Sequence, residues 1–229
     1  MSEWWTYSLS DFLMFSGRTW YRLLELHNTV WSPLHVVTTL AAGWLLFAMR
    51  SASPGRLRGA LVLAGGAWLF VAWAFHWVRY APINWAADAF ALGFGLQGLA
   101  LVWQGWTARD LRVDSDLAGR VGQAMLLVAT LYPLLALAWG RPLAQSEWFG
   151  LMPDPTALAT LGMLLCLRRG DAPGRPSINR IWLMLIPLLW CAVTGATLWT
   201  LNAGDWFLLP VAGALALGMA LRGKGAPAG

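Results

Sequence analysis

Apolar residues run through this chain in long blocks, without the one-faced or alternating patterns of a soluble fold. Seven blocks lie at 31–49, 59–78, 84–106, 120–139, 154–168, 181–201 and 205–221. They approach the roughly 20 residues that a helix needs to cross about 30 Å of hydrocarbon. The fifth is the shortest and opens on Pro153 and Pro155; if it is re-entrant or interfacial, six spans remain. Ahead of the blocks, residues 9–28 interleave Phe12, Leu13, Phe15, Trp20, Leu23, Leu24 and Leu26 with Asp11, Arg18, Arg22, Glu25 and His27. Such charges are costly in hydrocarbon. Residues 1–30 are therefore expected to hold an interfacial amphipathic helix, or a lid over the mouth of the bundle, with Ser10 as its cap. They lack the basic start and small-residue cleavage site of a secretory signal. Residues 51–58 and 170–178 read as Pro/Gly/Ser-rich connectors, and 223–229 as a disordered tail.

Composition agrees with the blocks. Charged residues make up 12% of the chain and hydrophobic ones 58%, with 17 Trp and a mean hydropathy of +0.55; a soluble domain carries about 25% charge. The formal charge of +5 is a topology signal. Arg50, Arg56 and Arg58 separate spans one and two, Arg109, Arg112 and Arg120 separate three and four, and Arg168, Arg169, Arg175 and Arg180 separate five and six. Arg222 and Lys224 follow the seventh span, while the opposite loops hold only Arg79 and Arg141. Basic residues concentrate on the cytoplasmic side, which puts the amino terminus outside and the carboxyl terminus inside; Arg18 and Arg22 count against this. No basic stripe interleaved with aromatics points to nucleic acid. Cys166 and Cys191 fall inside spans and read as small apolar fillers. The expected fold is thus all-α and integral to a membrane, one domain over residues 1–222.

An internal repeat refines that picture. At a constant offset of 122 residues, Pro33, Thr38, Leu45, Pro54, Arg58, Leu61, Leu63, Trp68, Val71, Ala74 and Trp77 meet identical residues at 155, 160, 167, 176, 180, 183, 185, 190, 193, 196 and 199. One deletion later, Asn84-Trp85 falls on Asp205-Trp206. Residues 31–106 and 154–221 then form parallel three-helix repeats joined by span four at 120–139, with a binding site expected between them. Small residues for close helix contact are Gly65, Gly66, Gly93, Gly95, Gly98, Gly213 and Gly218. Pro133, Pro187 and Pro210 are placed to kink their spans.

This three-plus-one-plus-three layout resembles that of small seven-span sugar facilitators and nicotinamide riboside carriers, without their binding motifs. The stretches 11–16 (DFLMFS), 21–26 (YRLLEL), 80–85 (YAPINW) and 149–156 (FGLMPDPT) resemble an uncharacterised family of bacterial inner-membrane proteins. That resemblance implies a multi-pass protein of the inner membrane and no particular activity.

Candidate chemistry lies in three sets. His35, His76 and Asp88 sit roughly 4–6 Å below the outer boundary in consecutive spans. They can form a ligand or proton site, ligate a divalent metal, or play structural roles, with Asp88 paired to Arg79. No His-x-x-x-His spacing supports the metal. The outer loops carry Asn84, Arg141, Gln145, Glu147, Asp154, Asn202 and Asp205; Asp154, Asn84 and Asp205 read first as helix caps, and all of them with His27 as a polar mouth. Trp68 and Trp190, repeat mates deep in spans two and six, either pack the core or flank a cavity for a flat guest. Most other tryptophans, among them Trp4, Trp5, Trp20, Trp31, Trp77, Trp85, Trp148, Trp199 and Trp206, fall at the outer boundary as an aromatic belt.

Three functions compete. The first is a carrier of a small polar or aromatic solute, binding at His35, His76, Asp88, Trp68, Trp190, Asn84 and Asp205. The second is a membrane subunit of a redox complex, with His35 and His76 holding haem or a quinone. The third is a metal-dependent enzyme of the outer leaflet, ranked last because no nucleophile has a neighbouring base. Expected partners are the lipid bilayer, a solute, and a second copy or another membrane subunit; the cofactor is left open.

Overall fold

The computed structural model describes residues 13–51, 53–109, 111–169 and 180–222. Ser10, Trp4, Trp5, the whole 170–178 connector and the 223–229 tail lie outside them. The described chain is all-helical apart from two three-residue strands.

Helix α1 (Gly17–Trp31) is capped by Ser16, whose side chain accepts a hydrogen bond from the Thr19 amide. It buries Trp20, Leu23, Leu24, His27 and Asn28 on one face. At Ser32–Pro33 the chain turns by 95° into α2 (Leu34–Ala48), so α1 lies across one end of the bundle. The amphipathic segment thus forms a helix that buries one face and bends away from α2. Trp20, expected in the aromatic belt, is instead the apolar anchor of the lid, 3% exposed against Phe75 and Tyr80. Trp77, Trp85 and Trp199 do face outward.

Helix α3 (Pro54–Phe70) starts inside the expected connector because Pro54 sits at its first turn, where a missing N–H costs nothing. It runs on into a π-helical segment, Val71–Tyr80. After α4 (Ala87–Thr107), a strand β1 (Leu111–Val113) leads to α5 (Leu117–Leu131), capped by Asp116. Pro133 breaks the linker span there and starts α6 (Pro133–Ala138). A buried loop then carries the chain to α7 (Pro153–Cys166), which ends in β2 (Leu167–Arg169). The antiparallel β1–β2 pair, unforeseen from the hydrophobic blocks, fastens the end of α4 to the end of α7. Helix α8 (Arg180–Thr200) contains Pro187, and α9 (Leu208–Arg222) follows. Pro210 lies in the first turn of α9, where proline starts a helix and does not kink it.

All seven apolar blocks are therefore helical. Their lengths are less uniform than seven full spans require. Among the described residues two helices, Pro54–Tyr80 and Arg180–Thr200, are long and apolar enough to cross a membrane alone; the bent pair α1–α2 would be a third. At about 1.5 Å per residue, α7 with its 14 residues reaches only about 21 Å.

Short α7 is nevertheless the core. Every one of its residues is buried, and it packs against α2, α3, α5, α8 and α9. Its expected repeat mate α2 buries only Ala42, Leu45 and Ala48. Close helix contacts use glycine at Gly65 and Gly98 between α3 and α4, at Gly122 and Gly162 between α5 and α7, and at Gly213 and Gly195 between α8 and α9. Gly66, Gly93, Gly95 and Gly218, expected to act likewise, have open space where a Cβ would stand.

Candidate functional site: a buried acid cluster beneath the first helix

The loop between α6 and α7 is the local oddity from which the site is built. Loops usually run over the surface because their backbone polar groups need water. Here Ser146, Glu147, Phe149, Gly150, Leu151 and Met152 are all buried, and side chains replace the water. The Asn28 amide donates to the carbonyls of Ala144 and Ser146, both at 2.8 Å. Ser146 Oγ donates to the Pro133 carbonyl at 2.9 Å. Gly150 takes the left-handed backbone (φ 73°) and donates its amide to Thr156 Oγ1 at 2.8 Å, while that hydroxyl donates to the Met152 carbonyl. Hydrogen bonding fixes two imidazoles as well. His27 Nε2 donates to the Leu151 carbonyl at 3.1 Å. His35 Nε2 donates to Asn28 Oδ1 at 2.9 Å, because the Asn28 amide nitrogen is already committed as a donor.

Three buried carboxylates in and next to this loop lie near enough for their charges to act on one another. Asp154, 1% exposed at the second position of α7, accepts Trp190 Nε1–H at 2.7 Å on Oδ1 and the Thr194 hydroxyl at 2.9 Å on Oδ2. It does not cap its own helix, as the sequence had suggested; it ties α7 to α8. Asp205 pairs with Arg141 at 2.6 Å and does not cap α9. The Arg141 guanidinium lies 4.7 Å from the Tyr21 ring of the lid. Glu147, 5% exposed, leaves Oε2 without a hydrogen-bond partner. Burial drives the Glu147 carboxyl well above the ordinary value, and the charge of Asp154 adds to the rise; Arg141 offsets only part of it. The enclosure of Glu147 thus favours its protonated form.

His27 goes the other way. Its Nδ1 is enclosed without a partner, and burial, reinforced by the charge of Arg79, pulls its pKa down to about 4. A depressed folded value gives stability that is present above the unfolded value of 6.5 and lost as pH falls through 4. At full extent this is worth about 3 kcal/mol. The melting temperature in detergent should fall as pH drops from 6.5 to 4, and His27→Gln, which keeps a donor for Leu151, should flatten that fall.

The other sequence candidates are dispersed. Among the described residues no three His, Cys, Asp or Glu side chains stand close enough to share a metal ion. His35 packs on the Trp148 ring at 4.8 Å. His76 is fully buried in the π segment, walled by Phe75, Tyr80, Phe90, Phe94 and Trp190, with neither ring nitrogen bonded. Asp88 is exposed in an apolar groove of the π segment and α4 and makes no ion pair with Arg79. The metal reading needed His35, His76 and Asp88 together, and the haem reading His35 and His76. Trp68 and Trp190 do not flank a cavity either: the Phe94 ring stands between them, with centroids 4.1 and 5.2 Å away. Both indoles donate into α7, Trp68 to Thr160 Oγ1 at 2.7 Å and Trp190 to Asp154. Asn84 accepts the Ala86 amide at 2.9 Å, shaping the turn before α4 without capping the helix.

Arg141, Glu147, Asp154 and Asp205 were legible as a polar set but read as an exposed mouth. Thr156, Thr160, Thr194 and Ser146 were not read as site residues, Thr160 entering only as a repeat match and Thr156 only within the 149–156 stretch. The available signal was the apolar run Trp148–Pro153 directly after Glu147; a loop that apolar must be buried and takes its polar residues with it.

Fold and site together define an all-helical protein, with helices apolar enough to span a membrane, that seals ionisable groups under an amphipathic lid. The chain belongs to a family of unknown function (DUF6064), whose model matches residues 18–226. This agrees with the expected membership of an uncharacterised family; a bacterial source and kinship with sugar facilitators do not follow from it. No curated protein and no solved structure matches the chain.

Proposed function

We propose that this protein is a multi-pass membrane protein that binds a small polar solute together with a proton at the cluster of Glu147, Asp154, Asp205 and Arg141, with α1 as the lid. The observation that carries the proposal is the unpartnered Oε2 of buried Glu147, a carboxyl that feels the charges of Asp154, Asp205 and Arg141. A buried polar atom left without a partner is a rare and costly feature. Ionisable groups within a membrane bundle are retained where protons or solutes pass. In this reading all seven helical segments cross the membrane, the short ones extended by their neighbours. The basic residues around β1 and β2 mark the cytoplasmic end and the lid faces outward, in an inner membrane. In this reading the site lies beside the buried 146–152 loop, which the lid touches through His27, and at the first turn of α7.

The test is flux. In proteoliposomes carrying an internal pH dye, at least one member of a panel of sugars, amino acids and organic acids should drive proton entry. Glu147→Gln, which keeps the shape and loses the titration, should abolish it. Absence of any solute-driven proton movement in the wild type, or full retention in Glu147→Gln, overturns the proposal.

A further inference from the structure

The outward side of the lid carries a second feature, separate from the acid cluster. Arg18 and Arg22 on α1 and Arg79 at the end of the π segment line one groove of about 420 Å³, whose remaining wall is apolar except for Thr19 and includes Leu26, Val78 and Ile83. Arg22 is matched by Glu25 at 2.9 Å. Among the described residues Arg18 and Arg79 form no ion pair, and Arg79 Nε is buried without a hydrogen-bond partner. Three guanidiniums against one carboxylate leave the groove with an excess of two positive charges. The groove lies at the terminus of the candidate span Pro54–Tyr80. At the same end Trp77 and Trp85 are 64% and 69% exposed, as residues of a membrane interface are.

We infer that this groove binds an acidic glycerophospholipid, its phosphodiester held by Arg18 and Arg79 with Arg22 at the rim, and an acyl chain along Leu26, Val78 and Ile83. Guanidinium presents a planar fork that matches phosphate oxygens, and the apolar wall suits a chain that continues into the bilayer. An anion here also explains two arginines on the side of the membrane that carries few basic residues. The inference rests on the membrane reading above, but its readout is lipid retention and not solute flux, so the two fail separately.

The experiment is native mass spectrometry of the full chain in detergent, titrated with phosphatidylglycerol, with phosphatidylcholine, or with inorganic phosphate. Phosphatidylglycerol should be retained in preference to phosphatidylcholine, and Arg18→Gln/Arg79→Gln should weaken it by about tenfold or more. Arg56→Gln, at the other end of α3, should leave it unchanged. If the double variant does not fold, Arg18→Gln alone, altering an exposed side chain, should still lower retention. Equal retention of the two lipids, or unchanged phosphatidylglycerol binding in a folded variant, overturns the inference. Inorganic phosphate that binds as tightly as the lipid also overturns it, in favour of a soluble anion.

Discussion

Gly65→Ala should destabilise the bundle by about 1–3 kcal/mol, while the same change one residue on, at Gly66, should be neutral or raise stability by up to about 1 kcal/mol. A Cβ at Gly65 would stand 2.7 Å from the Gly98 carbonyl oxygen and 2.9 Å from the Val102 amide, both main-chain atoms that cannot swing away. A Cβ at Gly66 meets nothing within 4 Å, so only the helix propensity of alanine is felt. Gly162→Ala belongs with Gly65: its Cβ would lie 2.6 Å from the Gly122 carbonyl oxygen and 2.9 Å from Met125 Cβ, and it would push α5 off the central helix α7. Melting temperatures of the detergent-solubilised variants check this directly. Equal effects at Gly65 and Gly66 would mean that α3 and α4 do not cross where described.

Arg141→Ala should be still more damaging, by about 3–5 kcal/mol. The side chains of Arg141 and Asp205 are only 15% and 12% exposed, so removing the cation leaves Asp205 buried and uncompensated beside Glu147 and Asp154. Arg141→Lys should rescue only part of the loss, because a compact ammonium does not reproduce the planar stack on Tyr21. Adding Asp205→Asn to Arg141→Ala should recover stability, since the pair disappears without an orphaned charge. Chemical denaturation of the four members of this cycle measures the coupling; a double variant no more stable than Arg141→Ala would show that the two groups act independently.

Both predictions concern positions that hydrophobic patterning ranked poorly, for a physical reason. The blocks located α2 to α9, because apolar content is a property of sequence windows. Azimuth and burial are not. Helix α7 was set apart as the shortest block, opening on two prolines, yet its Asp154, Thr156 and Thr160 are internally satisfied and the helix can be buried on all sides. His35, His76 and Asp88 were grouped by depth along their axes, and depth alone does not bring side chains together. In the π segment, backbone bonds skip an extra residue and shift the register of its side chains, and His76 lies among rings there. The lid was legible because its charges and apolar residues alternate on a helical period. The site beneath it was not, because Arg141, Glu147 and Asp154 sit on or beside a loop, and a loop is read as exposed until its apolar neighbours are weighed.

The central claim is that the enclosure of Glu147 beside Asp154 favours its protonated carboxyl. Infrared difference spectroscopy of the reconstituted protein measures this most directly. The account predicts a protonated carboxyl band at pH 7 that Glu147→Gln removes. A spectrum in which the substitution removes only carboxylate signal would contradict it.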